Sequence, residues 1–147
     1  MSGIKIREAQ PQDRSAWETL WAGYLAFYKA ELPHAVTDTT WARFHDPAEP
    51  MHCLVAEDAD GALVGFTNVV FHRGTWAVGD FCYLEDLFVA PSARNRGIAR
   101  ALIEAVYALA DERGCSRVYW LTHETNTTAR ALYDKVAHNR GFIQYQR

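Results

Sequence analysis

Apolar and polar residues alternate at the start of the chain, Ile4 and Ile6 against Lys5 and Arg7, which predicts a first strand that A-Q-P-Q-D from Ala9 interrupts. The period then changes. From Asp13 to about Ala30, Trp17, Leu20, Trp21, Tyr24, Leu25, Phe27 and Tyr28 recur at spacings of three and four, the stripe of an amphipathic helix rich in aromatics. Pro33 ends that helix, and T-D-T-T from Thr37 reads as the cap of a second short helix reaching about His45. Strands are expected over 52–57 and 62–71, joined by the turn D-A-D-G. A central strand over 79–89, a helix over 97–112 closed by Gly114, a strand over 117–122, a helix over 126–138 and a closing strand over 141–145 complete the reading. Early strands followed by a strand-helix-strand-helix unit predict an α/β fold, a mixed and mostly antiparallel central sheet with helices on both faces, in the order β-α-α-β-β-β-α-β-α-β.

The 147 residues suit one domain, 1–147, large enough to bury a core without disulfides. Apolar residues make up 49% and charged ones 22%, an ordinary globular balance that excludes disordered and fibrous classes. The net charge of −3 argues against a general nucleic-acid binder and favours a cationic partner. The three cysteines lie far apart without C-x-x-C spacing and read as reduced thiols of a cytoplasmic protein. No apolar run reaches the roughly 20 residues that span a bilayer, and M-S-G-I-K-I-R-E lacks a signal-peptide core, so no membrane association is expected. The six histidines share no metal-ligand spacing, so no metal is expected. His123, just past a strand, is the one candidate substrate contact or proton relay among them.

The stretch Y-L-E-D-L-F-V-A-P-S-A-R-N-R-G-I-A-R-A-L from Tyr83 hands a buried strand to a helix through a basic turn. Helix N-termini present unpaired N–H groups and partial positive charge, and Gly97 has no Cβ to keep a ligand off the backbone, so this turn suits a phosphate or pyrophosphate. Glu85 and Asp86 are adjacent carboxylates inside an apolar strand, which regular alternation sends to opposite faces. Each is either a structural ion-pair partner or a group that meets an ammonium or draws a proton from it. Tyr28 and Glu31, at the far end of the aromatic helix, offer an aromatic face and a carboxylate for the same ammonium, or simply pack and solvate.

Arg94-x-x-Gly97-x-Ala99, directly after L-F-V-A-P, resembles the Q/R-x-x-G-x-G/A signature of the GCN5-related N-acetyltransferases, with Ala99 where many members carry a second Gly. The resemblance implies acetyl-CoA as co-substrate, transfer to a primary amine in a ternary complex, and a coenzyme site over Arg94, Asn95, Arg96, Gly97, Ile98, Ala99 and Arg100. It implies a bulge near Leu87, Phe88 and Val89 that frees backbone groups for the pantetheine arm, with the N–H near Phe88 as oxyanion donor. L-E-D-L-F-V is similar to the same string in polyamine and small-amine acetyltransferases, which implies that Glu85 is the base and Asp86 a substrate contact. Asn126 and Tyr133 lie seven residues apart on one helix face, the second family fingerprint. By the resemblance Asn126 holds pantetheine and Tyr133 protonates the departing thiolate; read alone, Tyr133 is a core aromatic. L-Y-D-K-V-A-H-N-R-G-F is similar to the yeast Hpa-type histone and polyamine acetyltransferase subgroup.

A small cationic amine, a polyamine or amino acid, is the favoured acceptor, with protein lysines or N-termini as the alternative. Two other classes stay open: a non-catalytic acyl-CoA sensor and a protein-interaction domain using the aromatic helix. The sheet end near Phe142 would suit a homodimer.

Overall fold

The computed structural model describes residues 3–147. Its centre is one five-stranded sheet in the order β1-β2-β3-β4-β5, built from β1 (Lys5–Glu8), β2 (Met51–Glu57), β3 (Leu63–His72), β4 (Phe81–Val89) and β5 (Arg117–Tyr119). The first four strands are antiparallel neighbours and β5 joins β4 in parallel. Four helices cover it: α1 (Arg14–Phe27), α2 (His34–Phe44), α3 (Ile98–Glu112) and α4 (Thr127–Val136).

The apolar pattern divides between the two faces. Trp17, Leu20 and Trp21 of α1 and Trp41 of α2 cluster with Cys53, Val55, Phe66 and Phe88 on one side. Ile98, Leu102, Ile103 and Val106 of α3 cluster with Leu54, Val69, Phe71, Cys82 and Leu84 on the other. Tyr133 and Val136 of α4 pack on that second cluster, and the Tyr107 hydroxyl ties α3 to α4 by donating to the Val136 carbonyl at 2.7 Å. At Gly65 a Cβ would stand 3.0 Å from the Phe88 carbonyl oxygen and 3.4 Å from Ile98 and Leu102, so the bare backbone lets α3 sit down on β3. The start of α1 is fixed by Asp13, which accepts two hydrogen bonds from Arg7 at 2.7 and 3.0 Å and one from the Gln10 N–H at 2.7 Å.

Three expectations from the sequence fail here. The second helix begins at His34, not at Thr37, because Pro33 already holds the φ of −57° with which the first turn starts. Thr37 is buried inside α2, where its hydroxyl accepts from Trp21 Nε1 at 3.2 Å. The expected strand over 141–145 does not form: Phe142, Ile143 and Tyr145 stand 84%, 76% and 88% exposed and pair with nothing in the sheet. The strand expected over 117–122 also stops early, at Tyr119. No helix is long and apolar enough to cross a membrane among the described residues.

Candidate active site

In a regular strand residues four apart share a face, yet Leu84 packs on the α3 side and Phe88 on the α1 side. The β3–β4 register gives the cause: Asn68 stands opposite Asp86 and Val69 opposite Leu84, so Glu85 is one residue too many. The chain therefore bulges at Glu85. Two expectations are corrected: the bulge lies before Leu87–Val89, and the extra residue cancels the alternation that would send the two carboxylates to opposite faces. The charges of Asp86 and Glu85 both act on the Tyr24 hydroxyl, whose pKa is raised by burial first and by them next.

Asp86 is the deeper of the two. Asn68 Nδ2 donates to its Oδ2 at 3.0 Å, and the Thr67 hydroxyl donates to its carbonyl at 2.8 Å. Burial pushes the Asp86 carboxyl above the ordinary carboxylate range, while the hydrogen bond from Asn68 and the nearby Tyr24 hydroxyl pull it back. Glu85 lies at the mouth, exposed as a residue, and its carboxyl is raised by partial desolvation and then by the Asp86 charge.

An aromatic ladder leads to this pair. Ring centroids step from Trp17 to Trp21 at 5.4 Å, to Tyr24 at 5.4 Å and to Tyr28 at 5.0 Å, and Tyr28 meets the His123 ring at 5.9 Å. Burial raises the Tyr28 hydroxyl, and the Asp86 charge adds to it. Tyr133 stands edge-on to Trp120 at 5.4 Å; burial, helped by Tyr28, pushes its hydroxyl up to about 12. Phe27, Tyr28, Lys29, His123, Thr125 and Asn126 line a cavity of about 400 Å³. Glu31 is exposed beyond α1 and does not line that cavity, because the chain has already turned away at Lys29, with φ +54°.

The neighbouring end of the cleft is made of backbone. β4 pairs with β5 only from Phe81 to Tyr83, so among the described residues no strand covers its outer edge from Leu84 to Val89, and only the Val89 carbonyl there is met, by Arg94. The Ala90 N–H donates to the Val64 carbonyl at 2.8 Å. Alternation along an antiparallel ladder then turns Phe88 toward β3 and leaves Leu87 and Val89 facing the open side. The free N–H groups near Phe88 are therefore those of its two neighbours and not its own. Past Val89, Pro91–Ala93 form a 3₁₀ turn, and Asn95 (φ +63°) and Gly97 (φ +74°) bring the chain into α3. The first helical bond runs from the Ala101 N–H to the Gly97 carbonyl at 3.0 Å, so the N–H groups of Ile98, Ala99 and Arg100 precede the ladder. No side chain caps Gly97.

The side chains of the turn behave differently from its backbone. Ile98 is buried in the core, Arg94 folds back to donate to the Val89 carbonyl at 3.1 Å with its guanidinium 5.6 Å from the Phe88 ring, and Arg100 reaches Glu104 at 3.5 Å. Asn126 precedes α4 and donates to the Thr122 hydroxyl at 3.3 Å. The Cys82 thiol is pushed up to about 12 by burial, which leaves it protonated.

Sequence reasoning missed Tyr24 and Asn68. Tyr24 reads as core from its spacing; Asn68, the lone amide in L-V-G-F-T-N-V-V-F, carried a usable signal, since a buried polar side chain must find a partner.

A model of the acetyltransferase (GNAT) family matches residues 15–138. A D-amino-acid N-acetyltransferase of Saccharomyces cerevisiae is 39% identical over 145 residues, 98% of this chain and 90% of the yeast protein. A thialysine N-epsilon-acetyltransferase of Caenorhabditis elegans is 40% identical over 72 residues, 49% of this chain and 44% of its own length. Among solved structures, AAC(6')-Iy in complex with a bisubstrate analog shares the fold with a TM-score of 0.83 at 21% identity, over 99% of this chain and 98% of that one. A ribosomal-protein-alanine N-acetyltransferase of Brucella melitensis does so with a TM-score of 0.78 at 22% identity, over 98% of each. With the family model matched from the first helix to the end of the last, and a relative of this identity over nearly the whole length, the chain belongs to the GNAT family of acetyltransferases.

Proposed function

We propose that this enzyme moves the acetyl group of acetyl-CoA to the primary amine of a small cationic acceptor, by direct attack in a ternary complex. The observation that carries the proposal is the unpaired β4 edge from Leu84 to Val89, set between the start of α3 and the Asp86–Tyr28–Tyr133 cluster. The residues present fit the coenzyme. The N–H groups of Ile98, Ala99 and Arg100, with Gly97 before them, would hold pyrophosphate. The open edge at Leu87 and Val89, with Asn126 across from it, would hold the amide-bearing arm.

Acetyl-CoA supplies the activated acyl carbon. Asp86 holds the ammonium, and Glu85, exposed at the mouth, takes its proton and passes it to water. The N–H of Leu87 or Val89 faces the developing oxyanion. As the C–N bond forms and the C–S bond breaks, Tyr133, kept protonated by burial, gives its proton to the sulfur. Tyr28 and His123 wall the acceptor.

Two acceptor classes are supported by different residues. Lys29, lining the cavity beside Tyr28 and His123, offers a cation to an acceptor carboxylate, which favours an amino acid, as does the name of the yeast relative. The Glu85–Asp86 pair favours a polyamine. Calorimetric titration with acetyl-CoA, then thiol release over D- and L-amino acids, polyamines and a histone-tail peptide, decides between them. Binding without turnover would replace the enzyme reading by that of a sensor, and no binding would remove both. The exposed apolar residues of the C-terminal segment, Phe142, Ile143 and Tyr145, support a homodimer in which a second copy covers them. Free Cys53, Cys82 and Cys115 suit the reducing cytoplasm.

A further inference from the structure

Asn68 is 3% exposed in the middle of β3, and its amide is half used: Nδ2 donates to Asp86, while Oδ1 is buried without a hydrogen-bond partner among the described residues. The orientation is forced, because only the nitrogen of an amide donates and a carboxylate only accepts. An unpaired buried acceptor gives up its hydration without a replacement and so weakens the fold. A side chain chosen for packing alone would avoid that, and Val69 beside it does.

The ladder says what the amide does. Asn68 is the last residue of β3 in regular register with β4 before the bulge at Glu85, and its partner across the ladder is Asp86. The bulge gives Asp86 its direction and Asn68 gives its carboxylate a fixed rotation, with the Tyr24 hydroxyl of α1 near it. We infer that Asn68 is a positioning residue for amine recognition: by donating from Nδ2 to Oδ2 it holds the Asp86 carboxylate ionised and aimed at the acceptor. This rests on the reading of Asp86 as the group that meets the ammonium. The groups whose titration touches Asp86 are Tyr24 from α1, Tyr28 just past its end, Cys53 from β2, and Glu85 and Tyr83 from β4. The phenols and thiol among these are raised above their ordinary values, so near neutral pH Glu85 is the carboxylate that shares the titration.

The test compares Asn68→Leu and Asn68→Asp with the wild type, and adds Asp86→Asn as reference. For both Asn68 variants, KM for the amine should rise at least about tenfold, the worth of one charge-assisted hydrogen bond, with acetyl-CoA affinity unchanged by calorimetry. The acid limb of kcat/KM should move to higher pH in both, further for Asn68→Asp, whose added negative charge opposes ionisation of Asp86. If Asn68→Leu fails to fold, the nearly isosteric Asn68→Asp carries the test alone. An acid limb and amine KM that stay in place in a folded Asn68 variant, while Asp86→Asn loses activity, overturn the role of Asn68 and leave that of Asp86 standing. Full activity in Asp86→Asn overturns both.

Discussion

At the end of the cleft proposed for the coenzyme the chain offers backbone: the first N–H groups of α3, the left-handed Gly97 and the β4 edge that no strand pairs. At the end proposed for the amine it offers side chains from separate elements, Tyr24 from α1 and Tyr28 just past its end, Asn68 from β3, Glu85 and Asp86 from β4, His123 after β5 and Tyr133 from α4. Backbone amides are the same whatever residues carry them, so the first end depends on local conformation and tolerates exchange of side chains. The second end depends on packing, since a ring or carboxylate is only as well aimed as the helix or bulge beneath it. One end suits a co-substrate shared by many enzymes, and the other suits an acceptor that must be chosen.

The widest gap between the ends should come from Trp17→Ala. Trp17 is fully buried and stacks on Trp21 and Trp41, so the platform under Tyr24 is also core, and the loss should be about 3–5 kcal/mol by denaturant titration. A loss below about 1 kcal/mol would uncouple the amine end from packing. Next, Tyr133→Phe should lower kcat by about 100-fold while leaving acetyl-CoA affinity alone, the ordinary worth of general-acid help; an unchanged kcat would remove Tyr133 from the chemistry. Gly97→Ala should act on the opposite side. A Cβ there meets nothing within 4 Å, so the cost is conformational, about 1–2 kcal/mol at positive φ, or roughly tenfold in acetyl-CoA affinity, with the amine KM untouched. A variant that shifts the amine KM instead would erase the distinction drawn here.

The smallest effect is one of sign. Asp86 has a raised pKa in the folded chain, so its protonated form is the one folding favours; that stability is present below the unfolded pKa and is lost as pH rises through the folded value. At neutral pH the ionised group therefore weighs against the fold, and Asp86→Asn should raise Tm while lowering activity. In a chain of this size 1 kcal/mol moves Tm by about 2–4 °C, which calorimetry resolves. A lower Tm at pH 7 would mean that its hydrogen bonds outweigh burial.

How much of this was legible follows from the same contrast. The turn from Arg94 to Ala99 could be read directly, because strand, glycine and helix start are adjacent in sequence and the conformation is local. The β2–β3 hairpin was legible for the same reason: D-A-D-G carries its own turn chemistry, with Gly61 at φ +84°. The bulge was not, since a two-for-one opposition exists only between strands, and no period in Y-L-E-D-L-F-V reveals which residue β3 will skip. Thr37 misled because a residue good at capping is equally good at receiving the indole N–H of Trp21, and only the packing of α1 on α2 chooses. Residues 141–145 have strand composition, but composition names no partner, and the segment pairs with no strand of the sheet.

The three-pair ladder between β4 and β5 has a consequence for the protein without its co-substrate. A strand unpaired beyond its third residue is an edge placed inside the sheet, a row of amides ready to accept any extended chain. The coenzyme arm would close that edge as a surrogate strand, so its supply would govern colloidal behaviour as well as turnover. Protein stripped of coenzyme should scatter light on storage sooner than protein kept with it, a shelf-life set by a metabolite rather than by the fold.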